Sequence, residues 1–330
     1  MKLPGLQIAR GLAALCIVYF HSWVALARFP KDTAFPIHAL ANYGWVGVDI
    51  FFAISGFVIC LVVSKPTFSP LPFLLNRAFR LYPLWLLTLT AFALLAFCWR
   101  SPTDTETVGY FLYSVTLLPT EQFPFYNVGW SLQHEMLFYL SAALIVPLAG
   151  FGGLVGFLAA STIAFHTIEM PLVLHNISMY HAEFLAGVLA FVVHQRIKTP
   201  SLALALVAAG ALGIAIVLPH FARGWLPIPL FALMLGFANL QFGNWQRPFI
   251  RLGDVSYSLY LVHSIVFLIA SAVVSKLTLP IWTEEPIRAA CFVVIVLIST
   301  MSWKFFETPI IGLGRRITAK LDSPAQTITA

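Results

Sequence analysis

Ten long apolar runs constrain the fold of this chain more than any other feature. They lie at residues 8–27, 43–63, 81–99, 130–148, 152–168, 179–194, 201–218, 226–242, 254–274 and 288–305. Each approaches the roughly 20 apolar residues that a helix needs to cross a bilayer, and none alternates as a strand of a membrane barrel does. Only 10% of the residues are charged, whereas a soluble domain is about 25% charged. We therefore predict an all-α polytopic membrane protein, a bundle of about ten transmembrane helices.

The distribution of basic residues predicts the orientation of this bundle. If the N-terminus is cytoplasmic, 13 of the 19 Lys and Arg residues lie on the cytoplasmic side and 6 on the other. The positive-inside rule then favours two cytoplasmic termini and a first span that is retained, not cleaved as a signal peptide. Because the basic residues are scattered over short loops, we expect no nucleic acid as a partner. We expect one integral-membrane domain, residues 1–330, with spans within 8–305 and a cytoplasmic tail at 306–330.

The stretch RGLAALCIVYFH, residues 10–21, holds two ionisable side chains inside the first apolar run. Arg10 and His21 are eleven residues apart, about three helical turns, so they share a face and lie about 16 Å apart along the axis. An ionisable residue at the depth of His21 is costly in lipid and marks a wet interior site by default. The alternative is a neutral core histidine bonded to a neighbouring helix, with Arg10 extending to the membrane surface.

Three further spans carry polar side chains that a lipid-facing helix does not need. They are Asp49 and Ser55 in the second span, Ser131, Glu135 and Tyr139 in the fourth, and Ser256, Tyr260 and His263 in the ninth. In the last two sets, steps of three or four residues place the side chains on one helical face. Since polar groups avoid lipid, we predict that all four polar stripes face one hydrated cavity. Such a cavity fits an enzyme pocket and also a substrate passage.

A pair of arginines lies in NRAFRLYP, residues 76–83, at the predicted cytoplasmic surface. Arg77 and Arg80 are one turn apart, and their plain interpretation is positive-inside anchoring. The functional interpretation is a phosphate clamp, since a planar guanidinium suits paired contacts with phosphate oxygens. The four cysteines of the chain show neither metal nor redox spacing, so we expect no metal.

Six motifs, in order along the chain, resemble those of the bacterial type 3 membrane acyltransferases. They are the Arg10–His21 pair, GVDIFFAISGF, RAFRLYP, WSLQHEMLFY, GDVSYSLYLVH and the closing FETP, and they extend from residue 10 to residue 309. The resemblance implies an inner-membrane enzyme with acyl-coenzyme A, usually acetyl-coenzyme A, as its donor. The expected acceptor is a hydroxyl of a glycan or lipid-linked sugar, such as a surface polysaccharide, exopolysaccharide or lipopolysaccharide.

The resemblance also implies roles for individual residues. His21 is expected to be a general base or a transient acyl carrier, with Arg10 and Glu135 as the other catalytic residues. The donor is expected to bind Arg77, Arg80 and Arg10. Acceptor contacts are expected from Asp49, Ser131, Tyr139, Ser256, Tyr260 and His263, with Glu135 or Asp49 either fixing the tautomer of His21 or binding sugar hydroxyls.

Two other classes of function stay open. One is a polytopic transporter or flippase for a glycan or lipid-linked precursor, which would be marked by helix-breaking Gly or Pro in paired spans. Pro227 and Pro229 lie only at the outer end of one run, with no evident counterpart. The other is a non-catalytic membrane scaffold, which would leave Arg10, His21 and Glu135 unexplained.

Overall fold

The computed structural model describes residues 3–26, 38–99, 103, 106–119, 122–220, 223–241, 243, 246–277 and 279–322. Within these ranges the regular secondary structure is helical and no strand occurs, so the all-α prediction is confirmed. Lys2, Arg28, Lys31 and Arg100, which enter the orientation count, lie outside the described residues, as does the end of the predicted tail at 323–330.

Fourteen α-helices follow one another in the described part of the chain. They are α1 (Pro4–Ala25), α2 (His38–Tyr43), α3 (Gly47–Val63), α4 (Pro70–Cys98), α5 (Val108–Val115), α6 (Trp130–Thr167), α7 (Leu172–Ser178), α8 (His181–Arg196), α9 (Ala203–Val217), α10 (Pro227–Asn239), α11 (Arg247–Asp254), α12 (Ser256–Val274), α13 (Glu284–Ser302) and α14 (Thr308–Asp322). A π-helical turn, Trp303–Glu307, joins α13 to α14.

Eight helical segments of the described chain are long and apolar enough to cross a membrane. They account for the predicted runs with two differences. The runs 130–148 and 152–168 both fall in α6. The run 226–242 becomes α10, whose 13 residues extend only about 20 Å, against a hydrocarbon core of about 30 Å. The multi-pass prediction is confirmed, and α10 is shorter than the sequence predicted.

Gly150 explains how two predicted runs share one helix. Its φ of 67° and ψ of −174° belong to a region that only glycine enters readily. A Cβ on Gly153 would lie 3.3 Å from Cγ2 of Ile145, although eight residues of straight helix span about 12 Å. The chain therefore bends sharply at Gly150, in the glycine-rich stretch LAGFGG between the two runs.

Packing divides the chain into two compact units. Unit 1 is formed by Met1–Cys60 and Phe157–Thr300, and unit 2 by Leu61–Gly156 and Met301–Ala330. Each unit contains residues from both the N-terminal and the C-terminal parts of the sequence.

In unit 1, α3 and α8 cross with their backbones in contact. A side chain on Gly56 would overlap the carbonyl oxygen of Phe184, and one on Gly187 would overlap the carbonyl oxygen of Ala53. Small residues at a crossing allow this approach, as in other membrane helix pairs. The two glycines therefore determine how closely α8 lies to the helix that carries Asp49.

In unit 2, α4 is anchored by a buried tryptophan. The indole N–H of Trp85 donates to the carbonyl oxygen of Ser114 at 3.1 Å, which satisfies its one polar group. Nearer the N-terminus of α4, the side-chain amide of Asn76 donates to Oγ1 of Thr318 at 3.0 Å. Thr318 belongs to α14, so residues 308–322 of the predicted tail form a helix that packs on α4.

Candidate active site

Two of the predicted polar stripes lie side by side in unit 1, on α1 and α12. A Cβ on Gly11 would lie 3.0 Å from Leu252, just ahead of α12, and His21 meets His263 two turns into α12, with ring centroids 4.8 Å apart. The two helices therefore run parallel. Arg10 is partly buried at the Gly11 end of this interface, and the histidines lie at the far end.

A main-chain carbonyl determines the tautomer of His21. Its Nδ1 lies 3.0 Å from the carbonyl oxygen of Ile17, one turn earlier. A carbonyl oxygen can only accept, so Nδ1 carries the proton and the lone pair of the neutral ring is on Nε2. Sequence analysis expected Glu135 or Asp49 as one route to this tautomer, whereas the structure provides it from α1 itself.

His263 differs from His21 in exposure and in its contacts. Its Nδ1 lies 3.2 Å from the carbonyl oxygen of Leu259, which makes Nδ1 the donor. Its Nε2 accepts from the hydroxyl of Ser264 at 3.0 Å. His263 is completely buried, whereas His21 keeps part of its surface accessible. Of the two rings, His21 is therefore the one that has accessible surface.

The other predicted residues of α12 continue the same interface. The hydroxyl of Ser256 donates to the carbonyl oxygen of Gly253 at 2.8 Å. The ring of Tyr260 is buried, with its centroid 5.8 Å from that of His263 and 6.3 Å from that of Phe51. Tyr260 thereby links α12 to α3.

Asp49 has a partner that sequence analysis missed. Its side chain is completely buried, and its Oδ1 accepts from Nη2 of Arg223 at 2.9 Å. Arg223 lies between α9 and α10, with its guanidinium 5.3 Å from the ring of Trp45 and 4.7 Å from that of Tyr180. Burial opposes the charge of Arg223, but the Asp49 carboxylate holds the pKa of Arg223 above its ordinary value. Asp49 itself was the signal in the sequence for such a pair, because a carboxylate in lipid needs a cationic partner.

Glu183, in the first turn of α8, is a second carboxylate of this cluster. It is buried, and the charges of Asp49 and Arg223 act on it. Its Oε2, like Oδ2 of Asp49, is buried without a hydrogen-bond partner among the described residues. Arg223 thus pairs with Asp49, and its charge also acts on a second buried carboxylate nearby.

In unit 2, Arg77 lies between two aromatic rings. Its guanidinium carbon is 5.5 Å from the centroid of Phe73 and 5.5 Å from that of Tyr139. The hydroxyl of Tyr139 donates to Oε1 of Glu135. The predicted residues of α4 and α6 thus form one series of contacts, from Arg77 through Tyr139 to Glu135. Ser131, one turn before Glu135, is buried, and its hydroxyl points to the carbonyl oxygen of Val128 at 3.4 Å.

Arg80 has a different neighbour from Arg77. Its Nη1 lies 3.3 Å from Oε2 of Glu307, the glutamate of the FETP stretch, whose side chain is only 2% exposed. Sequence analysis used FETP as a motif without giving Glu307 a role. The structure places this carboxylate on the predicted phosphate clamp.

The predicted site residues thus divide between the two units. Arg10, His21, Asp49, Ser256, Tyr260 and His263 lie in unit 1, and Arg77, Arg80, Ser131, Glu135 and Tyr139 lie in unit 2. The stripes of α1 and α12 meet as expected within unit 1. The convergence of all four stripes on one cavity stays a prediction. In the part of the chain that is described, no three His, Cys, Asp or Glu side chains group as a metal ion would require.

Comparison with known proteins decides the family. The family described as the acyltransferase domain matches residues 3–304. The chain belongs to this acyltransferase family. It is therefore an acyltransferase, and its apolar helices make it a multi-pass membrane enzyme.

Two relatives come from bacteria of the genus Rhizobium. "Exopolysaccharide production protein ExoZ" of Rhizobium meliloti (strain 1021) is 29% identical over 306 residues, which cover 84% of this chain and 93% of that protein. "Protein 2 in picA locus" of Rhizobium radiobacter is 37% identical over 93 residues, or 27% of this chain and 43% of that protein. No solved structure matches the chain.

Proposed function

We propose that this acyltransferase moves an acetyl group from cytoplasmic acetyl-coenzyme A to a hydroxyl of a cell-surface or secreted glycan, in the inner membrane of a bacterium. The family match supports acyl transfer. The similarity to a protein named for exopolysaccharide production, over 93% of that protein's length, supports a polysaccharide acceptor.

The observation that carries the mechanism is the tautomer of His21. Nε2 holds the lone pair and lies on a ring with accessible surface, as a general base requires. In the proposed reaction, Nε2 takes the proton of the acceptor hydroxyl as its oxygen attacks the thioester carbonyl. The carbon–sulfur bond then breaks, and the imidazolium returns the proton to the leaving thiolate. No proton is gained or lost overall, and the alternative path through an acyl-histidine uses the same nitrogen.

The donor is proposed to approach from the cytoplasmic end of α1. Arg10 lies at that end of the α1–α12 interface, about 16 Å before His21, and suits a contact with the anionic or thioester part of acyl-coenzyme A. Arg77 offers a guanidinium to a donor phosphate. Such a charge-assisted contact is roughly twice as strong as a neutral hydrogen bond.

The acceptor is proposed to bind through the remaining polar side chains. Carboxylates and hydroxyls bind sugar hydroxyls as hydrogen-bond partners, and the structure offers them on three elements. They are Asp49 on α3, Ser256, Tyr260 and His263 on α12, and Ser131, Glu135 and Tyr139 on α6. Glu135 is also proposed as a catalytic residue, as the resemblance implies.

The decisive test is a transfer assay with the purified full-length protein in detergent. Acetyl-coenzyme A labelled in its acetyl group is incubated with total cell-surface glycan, and the label is followed into polymer. We expect label in the glycan with wild-type protein and none with His21→Ala. Absence of transfer by wild-type protein, together with glycan movement across reconstituted vesicles, would support the transporter instead.

A further inference from the structure

The two arginines of α4 face different partners. Residues three apart on a helix are separated by about 300° of rotation, so Arg77 and Arg80 point about 60° apart. Arg77 lies against Tyr139 of α6. Arg80 lies against Glu307, between α13 and α14. The two arginines that sequence analysis grouped as one phosphate clamp therefore have different neighbours.

Glu307 is directed at Arg80 by an unusual turn of backbone. It ends the π-helical turn that begins at Trp303, and the N–H of Thr308 bonds back to the Trp303 carbonyl across five residues. The hydroxyl of Thr308 donates to the same carbonyl oxygen at 2.7 Å. Pro309 follows and has no N–H for a regular helical bond. Such π turns are rare and occur often at functional sites.

Helix α14 holds this arrangement against α4. The Asn76–Thr318 hydrogen bond lies one turn from Arg80 on the same face of α4. A Cβ on Gly314 would lie 2.6 Å from the ring of Phe79, so glycine permits close packing there. The Arg80–Glu307 pair therefore belongs to the contact between α4 and α14.

Arg77, in contrast, keeps capacity for a ligand. It forms no ion pair among the described residues, and its Nε is buried without a hydrogen-bond partner. Its position between Phe73 and Tyr139 holds the guanidinium in place without neutralising its charge. A guanidinium that is held in place, forms no ion pair with the described residues and has an unused donor suits an anion such as phosphate.

We propose that Glu307 is a positioning residue that binds Arg80 and secures α14 on α4, and that Arg77 is the arginine of the pair that contacts a phosphate of the acyl-coenzyme A donor. This division of roles rests on the proposed function, because it assigns a donor contact. It also gives the closing glutamate of the FETP stretch a physical task.

The test compares four variants of the full-length protein in detergent: Arg77→Ala, Arg80→Ala, the double variant Arg80→Met with Glu307→Gln, and the charge-reversed pair Arg80→Glu with Glu307→Arg. Each is measured for its thermal unfolding midpoint and for kcat and KM with acetyl-coenzyme A. Arg77→Ala should raise donor KM by about 10- to 150-fold, whatever the loss of its two ring contacts does to the midpoint. Arg80→Ala should lower the midpoint, since it removes the ion pair that Arg80 makes with the buried carboxylate of Glu307.

The double variants decide between the two roles of Arg80. In either one, a restored midpoint with donor KM within about threefold of wild type supports the proposal. A restored midpoint with KM as high as in Arg77→Ala would show that Arg80 contacts the donor and would overturn it. Failure of both double variants to regain the midpoint would also overturn it, since pairing would not then be the task of Arg80. If wild-type protein does not use acetyl-coenzyme A, the proposed function fails, but the midpoints still test the pair.

Discussion

Replacement of His21 by asparagine would separate chemistry from packing. The introduced side-chain amide can still donate to the carbonyl oxygen of Ile17, as Nδ1 of His21 does at 3.0 Å, but it has no basic nitrogen in place of Nε2. Loss of a general base typically lowers turnover by about 10²- to 10⁴-fold, or about 3–5 kcal/mol in the activation barrier. We expect His21→Asn to lose turnover by this amount while its KM for acetyl-coenzyme A stays near the wild-type value.

The hypothesis that His21 serves only for packing predicts the opposite result for His21→Asn. The ring of His21 lies 5.1 Å from that of Phe20 and 4.8 Å from that of His263, measured between centroids. If this contact were its whole purpose, His21→Asn would lower the thermal midpoint, and the folded fraction would turn over normally. Transfer rate, donor KM and midpoint are therefore measured on one purified sample, with the exposed His166→Ala as the matched control. A stable His21→Asn enzyme with wild-type turnover would refute the mechanism.

Two further predictions concern stability and orientation. Arg223→Ala should destabilise the protein by about 3 kcal/mol, because Asp49 would be left as a buried unpaired carboxylate. The double variant Asp49→Asn with Arg223→Met should recover most of the loss in thermal midpoint. If it recovers none, this account is contradicted. Reporters fused at residues 173 and 282 should be found in the periplasm, and those fused at 70, 197 and 320 in the cytoplasm, as the count of basic residues requires. Two or more reversed locations would refute the predicted topology.

Apolar run length predicted the fold well because the bilayer imposes one spacing on every span. The departures come from local chemistry that run length ignores. Gly150 bends α6 through a conformation that other residues avoid. Residues 308–322 form a helix because one of its faces packs on α4 through Gly314 and Thr318. A polar composition alone does not reveal such a partner.

Helical spacing predicted which side chains share a face, but it could not predict what faces them. Arg10 and His21 lie on α1, next to the parallel helix α12, whose polar side chains were also predicted from their spacing. The partners of Asp49 and Arg80 are distant in sequence and were missed, since Arg223 was only a charge in the topology count. Long-range pairing depends on which helices pack together, and no periodicity within a single helix contains that information.

In this apolar chain, a charged side chain that forms no ion pair says more about function than one that does. Among the described residues, Arg80 pairs with Glu307, Arg223 with Asp49, and Arg288 with Glu284 and Glu285. Each pair lowers the cost of holding charge away from water. Arg77 has no ion pair with any described residue, yet it is held between two rings, and its buried Nε has no hydrogen-bond partner there. Stability alone explains poorly why a cation is held in this way in a chain with so few charges, and the contact with an anionic donor that we propose would account for its position.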